Sequence, residues 1–229
     1  DYHILSADNP NGNFVNFTPR GTEHEYSIVH YGSKFYIVTN WEAENNRLME
    51  TPEDATNMSN WTEVIAHRAE VHLLDFDVFD NHLVLNERGN GLRGLRIINQ
   101  TSGKDQYINF GENAYTAWIS TNREFNTNIL RYGYSSLVTP SSTFDYNMDT
   151  GEKTLMKQNE VVGGYNSDNY YSERLYAKAR DGKKIPISLV YRKDLKTEVA
   201  QSLLLYAYGS YGSTNDPYFS STRLSLLDR

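Results

Sequence analysis

The stretch from Val71 to Phe110 reads VHLLDFDVF, then HLVLNER from His82, LRGLRII from Leu92 and DQYINF from Asp105. Apolar residues recur at or near every second position in each run, the period of a strand whose side chains point alternately to two faces. Asp80-Asn81, Gly89-Asn90-Gly91 and Thr101-Ser102-Gly103 separate the runs. Such residues reverse a chain at low steric cost. The stretch therefore predicts four consecutive strands joined by tight turns.

The same unit recurs on both sides. Upstream, strands are expected at 26–31, 34–40, 47–51 and 61–66, with KFYIVTN at 34–40 read as a half-buried strand. Downstream they are expected at 114–121, 129–135, 142–148 and 152–158. The last two form a hairpin from Tyr146 to Leu155, in which Gly151 takes a positive φ. Second strands begin at Lys34, His82 and Asn128, spaced by 48 and 46 residues. Four strands at that period are the arithmetic of a β-propeller blade. Residues 2–17 read as the last two strands of a preceding blade, giving about three and a half blades, fewer than the four a closed propeller needs. A β-sandwich also accommodates this strand count; the repeat favours the propeller.

The pattern changes after residue 165. Gly163-Gly164 and the polar residues 165–169 read as a linker. Residues 170–179 and 184–192 alternate around the turn Arg180-Asp-Gly-Lys183. The run Leu203-Leu-Leu-Tyr-Ala-Tyr208 is unbroken, as in a strand buried on both faces of an α/β sheet. Ser220 to Arg229 can open a helix with Leu224 and Leu227 on one face. The expected domains are 1–165 and 166–229.

Composition narrows the function. The 229 residues contain no cysteine, which excludes a disulfide scaffold, a thiolate metal site and a cysteine nucleophile. A net charge of −7 argues against a general binder of nucleic acid or anionic membranes. No apolar run is long enough to span a bilayer and no secretory signal opens the chain, so a cytoplasmic location is expected. The first residue is Asp1 rather than Met, which reads as processing or as a piece of a longer chain. The 18 Tyr, 9 Phe and 3 Trp suit many short strands.

Few motifs carry chemistry. Gly133-Tyr-Ser135-Ser-Leu137 lacks the second glycine of a nucleophile elbow and sits in an expected strand, so Ser135 reads as structural. The six histidines show no metal-ligand spacing, and no metal or cofactor is expected. The segment Leu203 to Gly212 stands apart. Its plain reading is a buried strand ending in a glycine turn. Its functional reading places a tyrosine hydroxyl at the C-terminal end of a central strand, where ligand sites collect and where it can donate to a developing oxyanion.

At these residues the sequence resembles the prolyl oligopeptidase family of serine peptidases, and within it the oligopeptidase B branch. The resemblance is carried by Leu130–Ser136, Asp145–Glu152, Ala179–Tyr191, Leu205-Tyr-Ala-Tyr-Gly-Ser-Tyr-Gly212 and Arg223–Arg229. It implies the C-terminal half of a seven-bladed propeller followed by the first strands of an α/β-hydrolase domain. It implies cleavage of short peptides after Arg or Lys, with the propeller restricting access. Tyr208 corresponds to the family's oxyanion-hole tyrosine, and Tyr211 to an aromatic position near the substrate pocket. The family's Ser, Asp and His lie beyond the position of Arg229, so this chain alone is expected to be inactive. An open half-propeller is also expected either to pair with a second copy through its exposed edges or to be poorly soluble on its own. Cleavage after Pro, as in prolyl oligopeptidase proper, and a non-catalytic propeller module are the alternatives.

Overall fold

Alternating aromatic and branched residues, punctuated by turn formers, build antiparallel meanders over most of the chain up to Arg192. The computed structural model describes residues 1–20 and 23–229. These fall into two compact units, Asp1–Asp75 and Phe76–Arg229.

In the first unit, β1 (His3–Ile4) pairs with β2 (Val15–Asn16). A four-stranded sheet comes next, β3 (Tyr26–Tyr31), β4 (Lys34–Thr39), β5 (Arg47–Pro52) and β6 (Thr62–Ile65), paired in sequence order. Phe17 and Trp61 close over Phe35, Ile37 and Met49. The Phe17 ring meets Phe35 edge-on, with centroids 5.0 Å apart, a favoured quadrupole geometry. The buried Trp61 indole N–H donates to Thr56 O at 2.9 Å, so its polar end costs nothing.

The sheet that decided the sequence reading contains β7 (Val71–Val78), β8 (His82–Gly89), β9 (Leu92–Asn99) and β10 (Asp105–Tyr107), again in consecutive order. The next contains β11 (Tyr115–Ile119), β12 (Ile129–Ser136), β13 (Ser142–Asn147) and β14 (Lys153–Gln158). In the second unit Phe79, Val84, Leu95, Ile97 and Ile108 share one core with Leu130, Tyr132, Tyr134, Tyr146 and Met148. Sequential meanders of four strands are propeller blades. A Greek-key sandwich would place non-consecutive strands side by side, and no described sheet does so.

Two local details are dictated by the sequence. Gly151 adopts φ +79° in the β13–β14 turn, as its position in Asp-Thr-Gly demands. Gly133 on β12 pairs with Trp118 on β11, and the indole lies so close that an added Cβ would sit 2.1 Å from it. One expectation is corrected. β4 is buried along nearly its whole length, not half-buried, with Tyr36 and Val38 as inaccessible as Phe35 and Ile37. The alternation in KFYIVTN is real, but an inner blade strand is covered on both faces.

Beyond the blades, β15 (Tyr170–Lys178) and β16 (Lys184–Arg192) form a long hairpin in full register. Gly182 takes φ +87° in its turn. The helix expected near the end is α1 (Ser221–Leu227), with Leu224 and Leu227 half-buried on one side. The strand read at Leu203–Tyr208 is absent. Leu203, Leu204, Leu205 and Tyr206 are irregular and 72–76% exposed. An inner strand needs neighbours on both edges, and no described strand pairs with this run.

Candidate functional site

The segment carrying Tyr208 and Tyr211 is shaped by its glycines and tethered by side chains and backbone between Asn215 and Asp228. After Gly209, a single 3-10 turn spans Ser210–Gly212, and Ser213 N donates to Ser210 O at 3.1 Å. Inside that turn Tyr211 adopts φ +57°, ψ +34°, a left-handed conformation that costs a β-carbon residue about 1 kcal/mol or more. Its side chain is almost fully exposed. Tyr208 is half exposed, and its carbonyl accepts a hydrogen bond from Asn215 Nδ2 at 3.2 Å. The two tyrosines thus lie on one short loop rather than at the end of a formed strand.

Asp216 is the first anchor. Arg88 Nη1 and Nη2 donate to its two carboxylate oxygens at 2.6 and 3.2 Å, a forked pairing that fixes orientation as well as distance. Arg93 Nε lies 3.0 Å from Oδ2 without hydrogen-bond alignment, so its contribution is charge rather than a directed bond. Arg88 and Arg93 are direct cross-strand partners at the tip of β8 and β9. Like charges placed opposite each other repel, and a carboxylate seated against both removes that repulsion.

The tip itself is an Asn90-Gly91 turn with φ of +50° and +74°, the left-handed pair that two-residue hairpins favour. Arg174 on β15 donates from Nη2 to Asn90 O at 2.7 Å and from Nη1 to Ser188 Oγ at 2.5 Å. A Cβ on Gly91 would stand 2.8 Å from that guanidinium and 3.2 Å from Pro186. Any other side chain would have to push that guanidinium aside and would also strain a backbone at φ +74°.

Two more anchors secure the rest. Phe219 N donates to Ser135 Oγ at 3.0 Å, and Ser135 in turn donates to Thr139 O at 3.1 Å. Ser135 is buried within β12 and fully engaged, a structural serine as its setting predicts. The Phe219 ring meets Tyr165 edge-on at 5.0 Å. At the far end, Asp228 accepts from the Tyr170 hydroxyl at 2.6 Å and from Arg192 Nη1 at 3.1 Å. The hydrogen bond from Tyr170, aided by Arg192, holds the Asp228 carboxyl below the usual aspartate range. Burial pushes the Tyr170 hydroxyl upward.

Two histidines sit beside carboxylates. His82 is buried beside Asp149, 3.1 Å from its Oδ1, and His30 pairs with Glu53 at 2.9 Å. Among the described residues no group of three His, Cys, Asp or Glu converges as a metal site. The polar hollow lined by His82, Asn99, Ser102, Lys104 and Asp149 shares no residue with the Tyr208 loop. The residues sequence reading missed are Arg88, Arg93, Asn215 and Asp216. The turn Asn90-Gly91 was legible, but nothing local in the sequence joins it to Asp216.

Comparison with known proteins places this arrangement. The family model "Prolyl oligopeptidase, N-terminal beta-propeller domain" matches residues 1–159. Dipeptidyl aminopeptidase BI of Pseudoxanthomonas mexicana is 43% identical over 220 residues, covering 95% of this chain and 30% of the relative. Protease 2 of Moraxella lacunata is 31% identical over all of this chain and 33% of its own length. The structure of oligopeptidase B from Leishmania major superposes with a TM-score of 0.87 at 31% identity, over 99% of this chain and 33% of that one. The chain thus spans about a third of the length of the relatives it matches. The chain belongs to the prolyl oligopeptidase family, close to oligopeptidase B.

Proposed function

We propose that this chain is part of a serine oligopeptidase that hydrolyses short peptides after Arg or Lys. Residues 1–165 supply blades that restrict access to the site, and residues 166–229 open the α/β-hydrolase domain. In the assembled site, the Leu203–Tyr208 run becomes an inner strand. Burying each of its large apolar side chains contributes about 1.5–3 kcal/mol, which is reason enough for the run to pair. Tyr208 then donates its hydroxyl to the oxyanion of the tetrahedral intermediate. Tyr211 lines the substrate pocket, and its left-handed backbone is the kind of strain that collects at such positions.

The observation that carries this reading is the likeness to oligopeptidase B across 99% of the chain. The test is hydrolysis of N-acylated Arg-, Lys- and Pro-amide reporters by the full-length protein containing this chain. The reading requires Arg and Lys reporters to be cut and the Pro reporter spared. Preference for Pro would move the protein to the prolyl endopeptidase branch.

One observation favours a second reading. The 43% identity to a protein named dipeptidyl aminopeptidase BI exceeds that to Protease 2. Under that reading the enzyme releases dipeptides from a free N-terminus. Rapid cleavage of a reporter with a free amino group two residues from the bond, and loss of cleavage on N-acylation, would establish it.

A further inference from the structure

We propose that Asp216 is a positioning residue for Tyr208, held in place by Arg88 and Arg93 at the tip of the β8–β9 hairpin. The inference rests on the Tyr208 reading above and adds the device that aims it. A hydroxyl can stabilise an oxyanion only if it meets the developing charge at about 3 Å. An ångström of misplacement can cost about a hundredfold in rate. Tyr208 ends the run that becomes an inner strand and is followed at once by Gly209, so the strand fixes its backbone on one side only and contacts made by the loop after it must fix the other.

The structure offers one continuous path. Arg88 grips both oxygens of Asp216 in a pocket where the two side chains retain only 12% and 16% of their exposure. Arg93 adds its charge at 3.0 Å. Asn215, the adjacent residue, donates to the Tyr208 carbonyl at 3.2 Å. Two residues beyond Asp216, Tyr218 N donates to the Asp216 carbonyl at 2.9 Å, which tightens the turn on the anchor. The loop is thereby referred to a rigid hairpin tip whose Asn90-Gly91 turn is itself clamped by Arg174. Substrate and reacting atoms need not touch Asp216 for it to govern turnover.

The test uses the full-length enzyme and N-acylated Arg-amide reporters. Asp216→Asn keeps the shape and removes the charge. It should lower kcat about tenfold with KM within about twofold. The double change Arg88→Gln and Arg93→Gln should give the same loss, adding Asp216→Asn to it should lose little more, and Asp216→Glu should recover part of the rate. If Asp216→Asn does not fold, Arg93→Gln retains the forked bonds and should show a smaller loss of kcat that deepens with salt. Loss of thermal stability with kcat intact would make Asp216 structural only and overturn the proposal. So would full kcat in Asp216→Asn or, where that variant does not fold, in Arg93→Gln, alongside a slowed Tyr208→Phe enzyme, which leaves the Tyr208 reading standing. An active enzyme indifferent to both Tyr208→Phe and Asp216→Asn would remove the Tyr208 reading itself.

Discussion

Arg88 holds Asp216 through two guanidinium–carboxylate bonds, 2.6 and 3.2 Å long, across 128 residues of chain. The pair fastens the Tyr208 loop to a blade hairpin, and it does so where little water reaches either group. Removing one partner of a buried pair leaves the other charge desolvated. Here Arg93 remains beside Asp216, so Arg88→Ala should cost about 1–3 kcal/mol, at or below the range for a hydrogen bond to a charged group. Urea unfolding of the single and double variants should show Arg88→Ala and Asp216→Ala to be strongly non-additive. Additive losses would mean that the two residues act independently.

Gly133→Ala should destabilise the chain by about 3 kcal/mol, the upper part of the overpacking range. The new methyl would stand 2.1 Å from the Trp118 ring, and Trp118 is its cross-strand partner in the β11–β12 register. Thermal unfolding reads this directly. Combining Gly133→Ala with Trp118→Leu should restore much of the loss, whereas a Gly133→Ala chain as stable as the parent would contradict the packing described.

Tyr132 presents the opposite case. Its side chain is fully buried and its hydroxyl has no hydrogen-bond partner among the described residues. Burial drives the ionisation of that hydroxyl far upward, so it stays neutral across the physiological range. A buried donor left unpaired costs about 1–3 kcal/mol, and deleting it together with its need for a partner recovers part of that. Tyr132→Phe should therefore be neutral or stabilising by about 1 kcal/mol in urea titration, unlike most core substitutions.

The attachment of α1 should depend on pH in one direction. The Tyr170 hydrogen bond and Arg192 depress the folded-state pKa of Asp228 below its ordinary 3.8. A depressed carboxyl favours the folded state above its unfolded pKa, and that stabilisation disappears as pH falls through the lower folded value. Amide exchange in Ser221–Leu227 should thus be unchanged by this group above about pH 5 and quicken below about pH 4, after correction for the intrinsic rate. Asp228→Asn should flatten the profile. An acid transition of equal size in that variant would assign it to another group.

The blades were legible because their signal is local. Alternation in VHLLDFDVF, turn pairs such as Gly89-Asn90-Gly91, and a repeat near 45 residues each need only neighbouring residues to be read. The sheets appear where those signals lie. Full burial of β4 was not legible, because a face covered by another layer leaves the same alternating pattern as a face in water. The Leu203–Tyr208 run reads as a strand by composition but lacks described strands to pair with, and pairing is a property of the partner as much as of the run. Tyr208 and Tyr211 could be put forward as candidates from their motif. Arg88 and Asp216 could not, since charge pairing over so long a separation leaves no local trace.

The most direct test of the account is the turnover of Tyr208→Phe in the full-length enzyme, measured on an N-acylated Arg-amide reporter beside the parent. Loss of a single oxyanion donor should lower kcat by about 10²–10³-fold while leaving KM nearly unchanged. A parental kcat in a folded, active Tyr208→Phe enzyme would contradict the role assigned to the loop.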